Sequence, residues 1–355
     1  MSLRQIYDRS VFDDATSDER RARVYVSSGE FGLTGDERPE VGLMRALTEG
    51  EPPQRLHVVG PSGAGKTSLI LRVITDLAKR QLEVSHEVLI LRVGDRPENL
   101  TSPDAVMKMV LDMIAVEGHR FSNVGESVLQ AAAADQRTHT PGQVEHRAGL
   151  TAPVVSYSAT LKEAYDSLEF GQNAARVRHD LEDVIAQVAR AGYRPVLVLD
   201  DTEKFVSPGP ERRVDTASVE NLYHHGVRVL GELAVDLVVA MHPRFEEIAR
   251  VIEVVERLAM PRLEVAELPA DTEPPPLRLI LARRMERDGI EAELESVIEP
   301  EAVEDLQVLY HERDRDLRSV LRLAQRAAGH ALQHDAQAIT ARHVREVVRQ
   351  ARSTG

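Results

Sequence analysis

Through the middle of the chain, short apolar runs alternate with stripes of apolar residues at helical spacing. The first run, 56–59, follows the break Glu51-Pro52-Pro53, and Gly60 opens a turn behind it. Leu69, Ile70, Val73, Ile74 and Leu77 then recur on one face of a predicted helix. A second strand is expected over 88–93 and a second helix over 105–116. Val177, Leu181, Val184, Ile185 and Val188 form another stripe, which stops at Gly192. The strand 196–199 ends on Asp200 and Asp201. A helix over about 216–233, a strand over 235–241, a helix over about 245–258 and a strand over 262–265 complete the series. Strands that alternate with helices imply an α/β fold, with a parallel sheet covered by helices on both faces.

The flanks read differently. Residues 1–45 look like an N-terminal extension with a helix near its end. The alternating pattern occupies 46–269, interrupted at about 119–172 by a poorly patterned stretch that reads as an insertion. Residues 270–276 are acidic and proline-rich, as a linker would be. Beyond them only helices are expected, over about 277–288, 300–311, 316–328 and 341–352. Gly289 is a stop signal for the first and Thr340 an N-cap for the last. Residues 270–355 therefore read as a four-helix subdomain, and no internal repeat is visible.

Composition narrows the function classes. The chain has 355 residues, 42% of them hydrophobic, enough for one large or two modest cores. It has no cysteine, which excludes disulfides and thiolate metal sites and fits a reducing compartment. The first twenty residues lack the apolar core of a signal peptide, and the apolar runs are too short to span a bilayer. A cytoplasmic protein without membrane contact is expected. A net charge of −14 argues against a generally basic nucleic-acid binder, although it leaves a local basic face open. Lysine is scarce, yet Lys66 falls inside a glycine-rich turn.

That turn is Gly60-Pro61-Ser62-Gly63-Ala64-Gly65-Lys66-Thr67, followed by Ser68 at the start of the predicted helix. The spacing Gly-x-x-x-x-Gly-Lys-Thr is that of a phosphate-binding loop. Glycines permit the backbone dihedrals that turn N–H groups inward around phosphates. Lys66 would supply positive charge to the β and γ phosphates, and the Thr67 hydroxyl would ligate Mg²⁺. The helix that starts here adds its free N–H groups and its dipole. ATP with Mg²⁺ is the expected ligand.

The run Val196-Leu197-Val198-Leu199-Asp200-Asp201 has the shape of a second phosphate-site element, a buried strand that delivers a carboxylate at its end. Asp200 is the candidate Mg²⁺ ligand. A further acid must position or deprotonate the attacking water, with Asp201 the first choice and Glu203 the second.

With both elements placed, the chain resembles the AAA+ superfamily, and within it the origin-recognition, helicase-loader and STAND-type signalling ATPases. The resemblance covers about residue 20 to the C-terminus apart from the insertion, and Asp200-Asp201-Thr202-Glu203-Lys204 is similar to the acidic element of that clade. It implies five parallel strands in the order 5-1-4-3-2 followed by a helical lid. It also implies three further roles. His242, after the strand 235–241, stands where relatives more often place Thr or Asn to sense the γ-phosphate. Arg257, with Arg250 and Arg262 as alternatives, is the candidate arginine finger offered to a neighbouring subunit. Arg318, in Asp316-Leu317-Arg318-Ser319-Val320-Leu321, would report nucleotide state to the lid, although the glycine that usually precedes this motif is missing.

The reading is an ATP-hydrolysing switch or remodeller, a homo-oligomer with an unidentified partner protein, and DNA as a further partner that the net charge does not support. Two alternatives stay open. One is a P-loop phosphotransferase, which the large helical C-terminus disfavours; the other is a nucleotide-gated binding module with little turnover. His330 and His334 are four apart, the spacing of a metal pair, but no Glu follows the first, so they read as a solvated helix face. The pair His224-His225 and the arginines of the lid helices are read the same way.

Overall fold

The computed structural model describes residues 3–12, 24–34, 38–79, 85–92, 100, 102–117, 174–190, 193–207, 213–270, 272–312 and 315–353. The expected insertion at 119–172 lies outside the described residues.

Five strands form the sheet: β1 (Arg55–Val59), β2 (Ser85–Arg92), β3 (Tyr193–Asp200), β4 (Asp236–Met241) and β5 (Arg262–Glu264). Their order is β2-β3-β4-β1-β5, or 5-1-4-3-2 read from the other edge. β2 pairs parallel with β3, Val88 opposite Val196, and β3 pairs parallel with β4, Val198 opposite Val238. Val196, Leu197, Val198 and Leu199 are all buried, as are all six residues of β4. Consecutive apolar residues rather than alternating ones are what a strand covered on both faces requires. β5, at an edge, has three residues and only Leu263 is partly buried.

The chain divides into two compact units. One comprises residues 49–57 and 77–262. Its described helices include Pro103–Glu117, Ala174–Arg190 and Ala249–Arg257. The helix expected over 216–233 is interrupted: a helical start over Thr216–Asn221 gives way to a π turn at Leu222–Val227, and Arg228–Gly231 resumes α geometry. Leu222, Tyr223, Gly226 and Val227 are buried in that turn. The helix expected over 245–258 is divided: a 3₁₀ turn, Pro243–Glu247, with Pro243 at its first position, precedes the α-helix that begins at Ala249. At the start of β4 the Asp236 carboxylate is fully buried and accepts from Arg194 Nη2 at 3.1 Å and from the Gln54 N–H at 2.6 Å.

The other unit comprises residues 1–48, 58–76 and 263–355. Its helices are α1 (Leu3–Asp8), α2 (Pro39–Glu49), α3 (Lys66–Lys79), and four at the C-terminal end: α4 (Pro276–Arg287), α5 (Pro300–Glu312), α6 (Leu317–Gln333) and α7 (Ala341–Ser353). Gly289 ends α4 at φ +67°, and Thr340 Oγ1 accepts from the His343 N–H at 3.4 Å at the head of α7. Their core is built on Leu277, Leu281, Leu306, Val320 and Val344, with Ala324, Ala327, Ala328 and Ala331 along α6.

Residues 3–12 belong to this core and are no appendage. Leu3, Ile6, Val11 and Phe12 are buried in it. Gln325 on α6 accepts from the Phe12 N–H at 3.1 Å and donates to the Tyr7 carbonyl at 3.2 Å, and Arg287 donates to the Val11 carbonyl at 3.0 Å. A six-residue helix has almost no stability alone, so packing is what holds α1.

Candidate nucleotide-binding site

The phosphate loop connects β1 to α3. Gly63 and Gly65 have φ of +75° and +95°, values that L-residues rarely adopt. These two positions let the chain curl, and the Ala64 N–H bonds back to the Pro61 carbonyl at 3.2 Å. Space is open where a side chain on Gly65 would project, and Gly60 packs tightly on Ala64 and Val265. Lys66 is 3% exposed and folds over its own loop, its Nζ donating to the carbonyls of Gly60 at 2.8 Å and Pro61 at 3.0 Å. An anion entering the loop would meet this ammonium. Pro61, Ser62, Thr67 and Ser68 are half-buried, the last two on the first turn of α3.

Arg318 lies against this loop. A Cβ built on Gly63 would stand 2.9 Å from Arg318 Cβ and 3.0 Å from the Arg318 nitrogen, and would overlap the Asp316 carboxylate. Asp316 in turn caps α6, its Oδ1 accepting from the Ser319 N–H at 3.1 Å and its Oδ2 from the Ser319 hydroxyl at 2.7 Å. Asp316 therefore fixes the start of the helix that carries Arg318. An Asp ahead of an apolar stripe is a legible cap; its approach to a loop some 250 residues earlier carries no sequence signal.

The acidic element belongs to the other unit. Asp200 ends β3 and is buried, and Asp201 follows with φ +60° in the left-handed region. Asp adopts that conformation more readily than most side chains do. The buried Thr202 hydroxyl ties the turn to β4 through the Ala240 carbonyl at 2.5 Å, an anchor that sequence inspection does not single out. One carboxylate oxygen from each of Asp200, Asp201 and Glu203 lies within 4.8 Å of the others. Three hard oxygen donors so close suit Mg²⁺, which neutralises their mutual repulsion.

His242 follows β4, is 3% exposed and caps the 3₁₀ turn, its Nδ1 accepting from the Arg244 N–H at 3.3 Å. That bond places the proton of the neutral ring on Nε2, making Nε2 a donor. Arg257 lies at the C-terminal end of its helix, more than half exposed, and pairs with Glu232 at 2.9 Å. Arg250 pairs with Glu253 on its own helix and Arg262 with Glu246. Among the described residues no helix is long and apolar enough to cross a membrane.

No protein-family model matches the chain, and no curated protein matches it. Solved structures do. The ORC2 protein of Aeropyrum pernix, in ADPNP–ADP complexes, is similar with a TM-score of 0.52 at 16% identity, over 96% of this chain and 72% of that one. The ORC1 protein of Aeropyrum pernix in complex with DNA gives 0.49 at 19% identity, over 88% of this chain and 64% of that one. Cdc6p from Pyrobaculum aerophilum gives 0.47 at 14% identity, over 97% and 71%. At such identity the likeness to ORC2 is one of fold, and in fold the chain resembles the origin-recognition ATPases.

Proposed function

We infer that the chain binds ATP with Mg²⁺, hydrolyses it, and works as a nucleotide-dependent switch or remodeller. The observation that carries this reading is Gly63 packed on Arg318, which joins a phosphate loop to the head of a lid helix within one unit. A loop that merely bound phosphate would not need a guanidinium-bearing helix laid on its backbone. The ADPNP–ADP complexes of the Aeropyrum pernix ORC2 protein, whose fold is similar, support an adenine nucleotide as ligand.

The roles follow from the chemistry of each group. The loop N–H groups and Lys66 hold the phosphates, and Arg318 meets the γ-phosphate so that its loss is felt along α6. Thr67 and Asp200 would hold Mg²⁺, which neutralises charge on the phosphate oxygens. Asp201, with Glu203 second, orients and deprotonates the attacking water. His242 offers its Nε2 proton to the γ-phosphate. Arg257 leaves Glu232 to enter the site of a second copy, which makes the active form a homo-oligomer.

The test compares wild type with Lys66→Ala and Asp201→Asn for binding of a fluorescent ATP analogue and for phosphate release with Mg²⁺. Weak binding by the first, and binding without turnover by the second, is the expected pair of results. Wild-type turnover by Lys66→Ala would overturn the reading. Tight binding by wild type with no release at any protein concentration would replace it by a nucleotide-gated binding module.

A further inference from the structure

The C-terminal helices bring together a second group of ligating side chains, apart from the phosphate loop. His330 and His334 are one turn apart near the end of α6, their ring centroids 4.6 Å apart. Glu346 on α7 reaches the same point, its Oε2 standing 3.3 Å from His330 Nε2. One donor atom from each of the three lies within 4.8 Å of the others. We propose that His330, His334 and Glu346 form a site for a divalent transition metal, with zinc the ion that two imidazoles and one carboxylate suit best.

The sequence alone reads this pair as a solvated face, and the structure changes that in two ways. The missing carboxylate arrives from a different helix, and the His330 side chain is only 11% exposed. Zinc bonds of about 2.0–2.2 Å in tetrahedral geometry put ligand atoms roughly 3.4 Å apart. His330 and Glu346 already stand at that separation, and His334, which is exposed, closes the remainder by side-chain rotation.

An ion pair between His330 and Glu346 accounts for only part of the arrangement. It leaves His330 Nδ1 buried with no hydrogen-bond partner among the described residues. It also leaves three imidazoles crowded about one carboxylate, since His343 lies 5.7 Å from His330. His343 is not a fourth ligand. Its Nδ1 accepts from the Thr340 N–H at 3.1 Å, which puts its ring proton on Nε2 and removes the lone pair a metal needs there. Arg342 bonds Glu346 Oε1 at 3.0 Å and leaves Oε2 to face the histidines, so the carboxylate offers one oxygen.

Three protein ligands leave a fourth position for water or an outside ligand, the pattern of exchangeable and catalytic zinc sites rather than of closed structural ones. A cavity of about 420 Å³ adjoins His330 and is bordered by Gln333, Val347 and Gln350. Such an ion would clamp the end of α6 to α7 without touching the phosphate loop.

The test uses the full chain, stripped with a chelator and held in millimolar Mg²⁺ to fill oxygen-only sites. Co²⁺ is titrated while its visible absorption is followed, and Zn²⁺ is titrated against a chromophoric chelator. One ion per chain is expected, with a rise in Tm on zinc addition. His334→Asn and Glu346→Gln should each weaken binding at least tenfold and abolish the zinc-dependent rise in Tm. His334 is exposed, so its replacement leaves the fold intact, which equal melting in chelator would verify. No binding by wild type, or equal binding by wild type and His330→Asn/His334→Asn, overturns the site.

Discussion

A methyl group on Gly63 would stand 2.9 Å from Cβ of Arg318. The loop and the head of α6 are thus in backbone-to-side-chain contact with no space to spare. Gly63→Ala adds a clash to the left-handed strain of φ +75°, whereas Gly65→Ala at φ +95° meets nothing within 4 Å. The backbone term alone costs about 1–2 kcal/mol in either variant. The expected outcome is a larger fall in Tm for Gly63→Ala, measured without nucleotide. Equal falls would mean that α6 does not rest on the loop in solution.

Lys66→Ala removes a charge-assisted contact to phosphate worth about 1.5–3 kcal/mol. ATP affinity should fall by roughly 10–100-fold, read by equilibrium titration of a fluorescent analogue. Stability without nucleotide should fall by about 1 kcal/mol for each hydrogen bond lost, since the Gly60 and Pro61 carbonyls each lose a donor. A protein that melts far below wild type would give Lys66 a structural role instead.

Arg257→Ala separates local from intermolecular use of that arginine. Its pair with Glu232 is exposed and contributes at most about 1 kcal/mol to stability. A finger delivered to a second copy contributes far more to turnover, about 10³-fold or above. Near-wild-type Tm is expected, with turnover that rises with protein concentration in wild type and stays low across the same dilution series in the variant. Unchanged hydrolysis would discard Arg257 and bring Arg250 and Arg262 forward.

Arg194→Ala strands the Asp236 carboxylate, which is fully buried at the start of β4. Removing one partner of a buried pair costs about 3–5 kcal/mol. Urea unfolding should show a lower midpoint at constant slope. A loss under about 1 kcal/mol would mean that water reaches Asp236.

Stability should also fall in mild acid. Burial pushes the His57 imidazole down to about 4, against the Tyr223 hydroxyl 3.4 Å away. The unfolded chain takes up this proton near pH 6.5 and the folded chain only near 4, so between those values stability rises with pH. His57 thus costs nothing above about pH 6.5 and about 3 kcal/mol once the pH has fallen below 4. At about pH 5, His57→Gln should lose about 2 kcal/mol less than wild type does relative to about pH 7.5. Equal acid losses in the two proteins would show that His57 is solvated.

Elements defined by neighbours in the chain were legible in the sequence. The phosphate loop is a spacing of eight residues, and β3 is an unbroken apolar run, so each carries its own signal. The long helix pattern over 216–233 misled, because its apolar residues look continuous while a π turn shifts their phase at Leu222–Val227. Distance in sequence hid the rest. Nothing in residues 3–12 says which core they fill, and nothing near His330 announces Glu346 on another helix. Arg257 is expected as a finger from its place in the sequence, yet its tie to Glu232 depends on packing that no local pattern encodes.

The burial of Leu3, Ile6, Val11 and Phe12 among the C-terminal helices sets an order of events at the ribosome. Synthesis at roughly 5–20 residues per second delivers those helices tens of seconds after the first ten residues emerge. Through that interval four large apolar side chains wait in the nascent chain without the surface they are shaped to fill. Residues 3–12 and the helices over 276–353 therefore complete their shared core as one event.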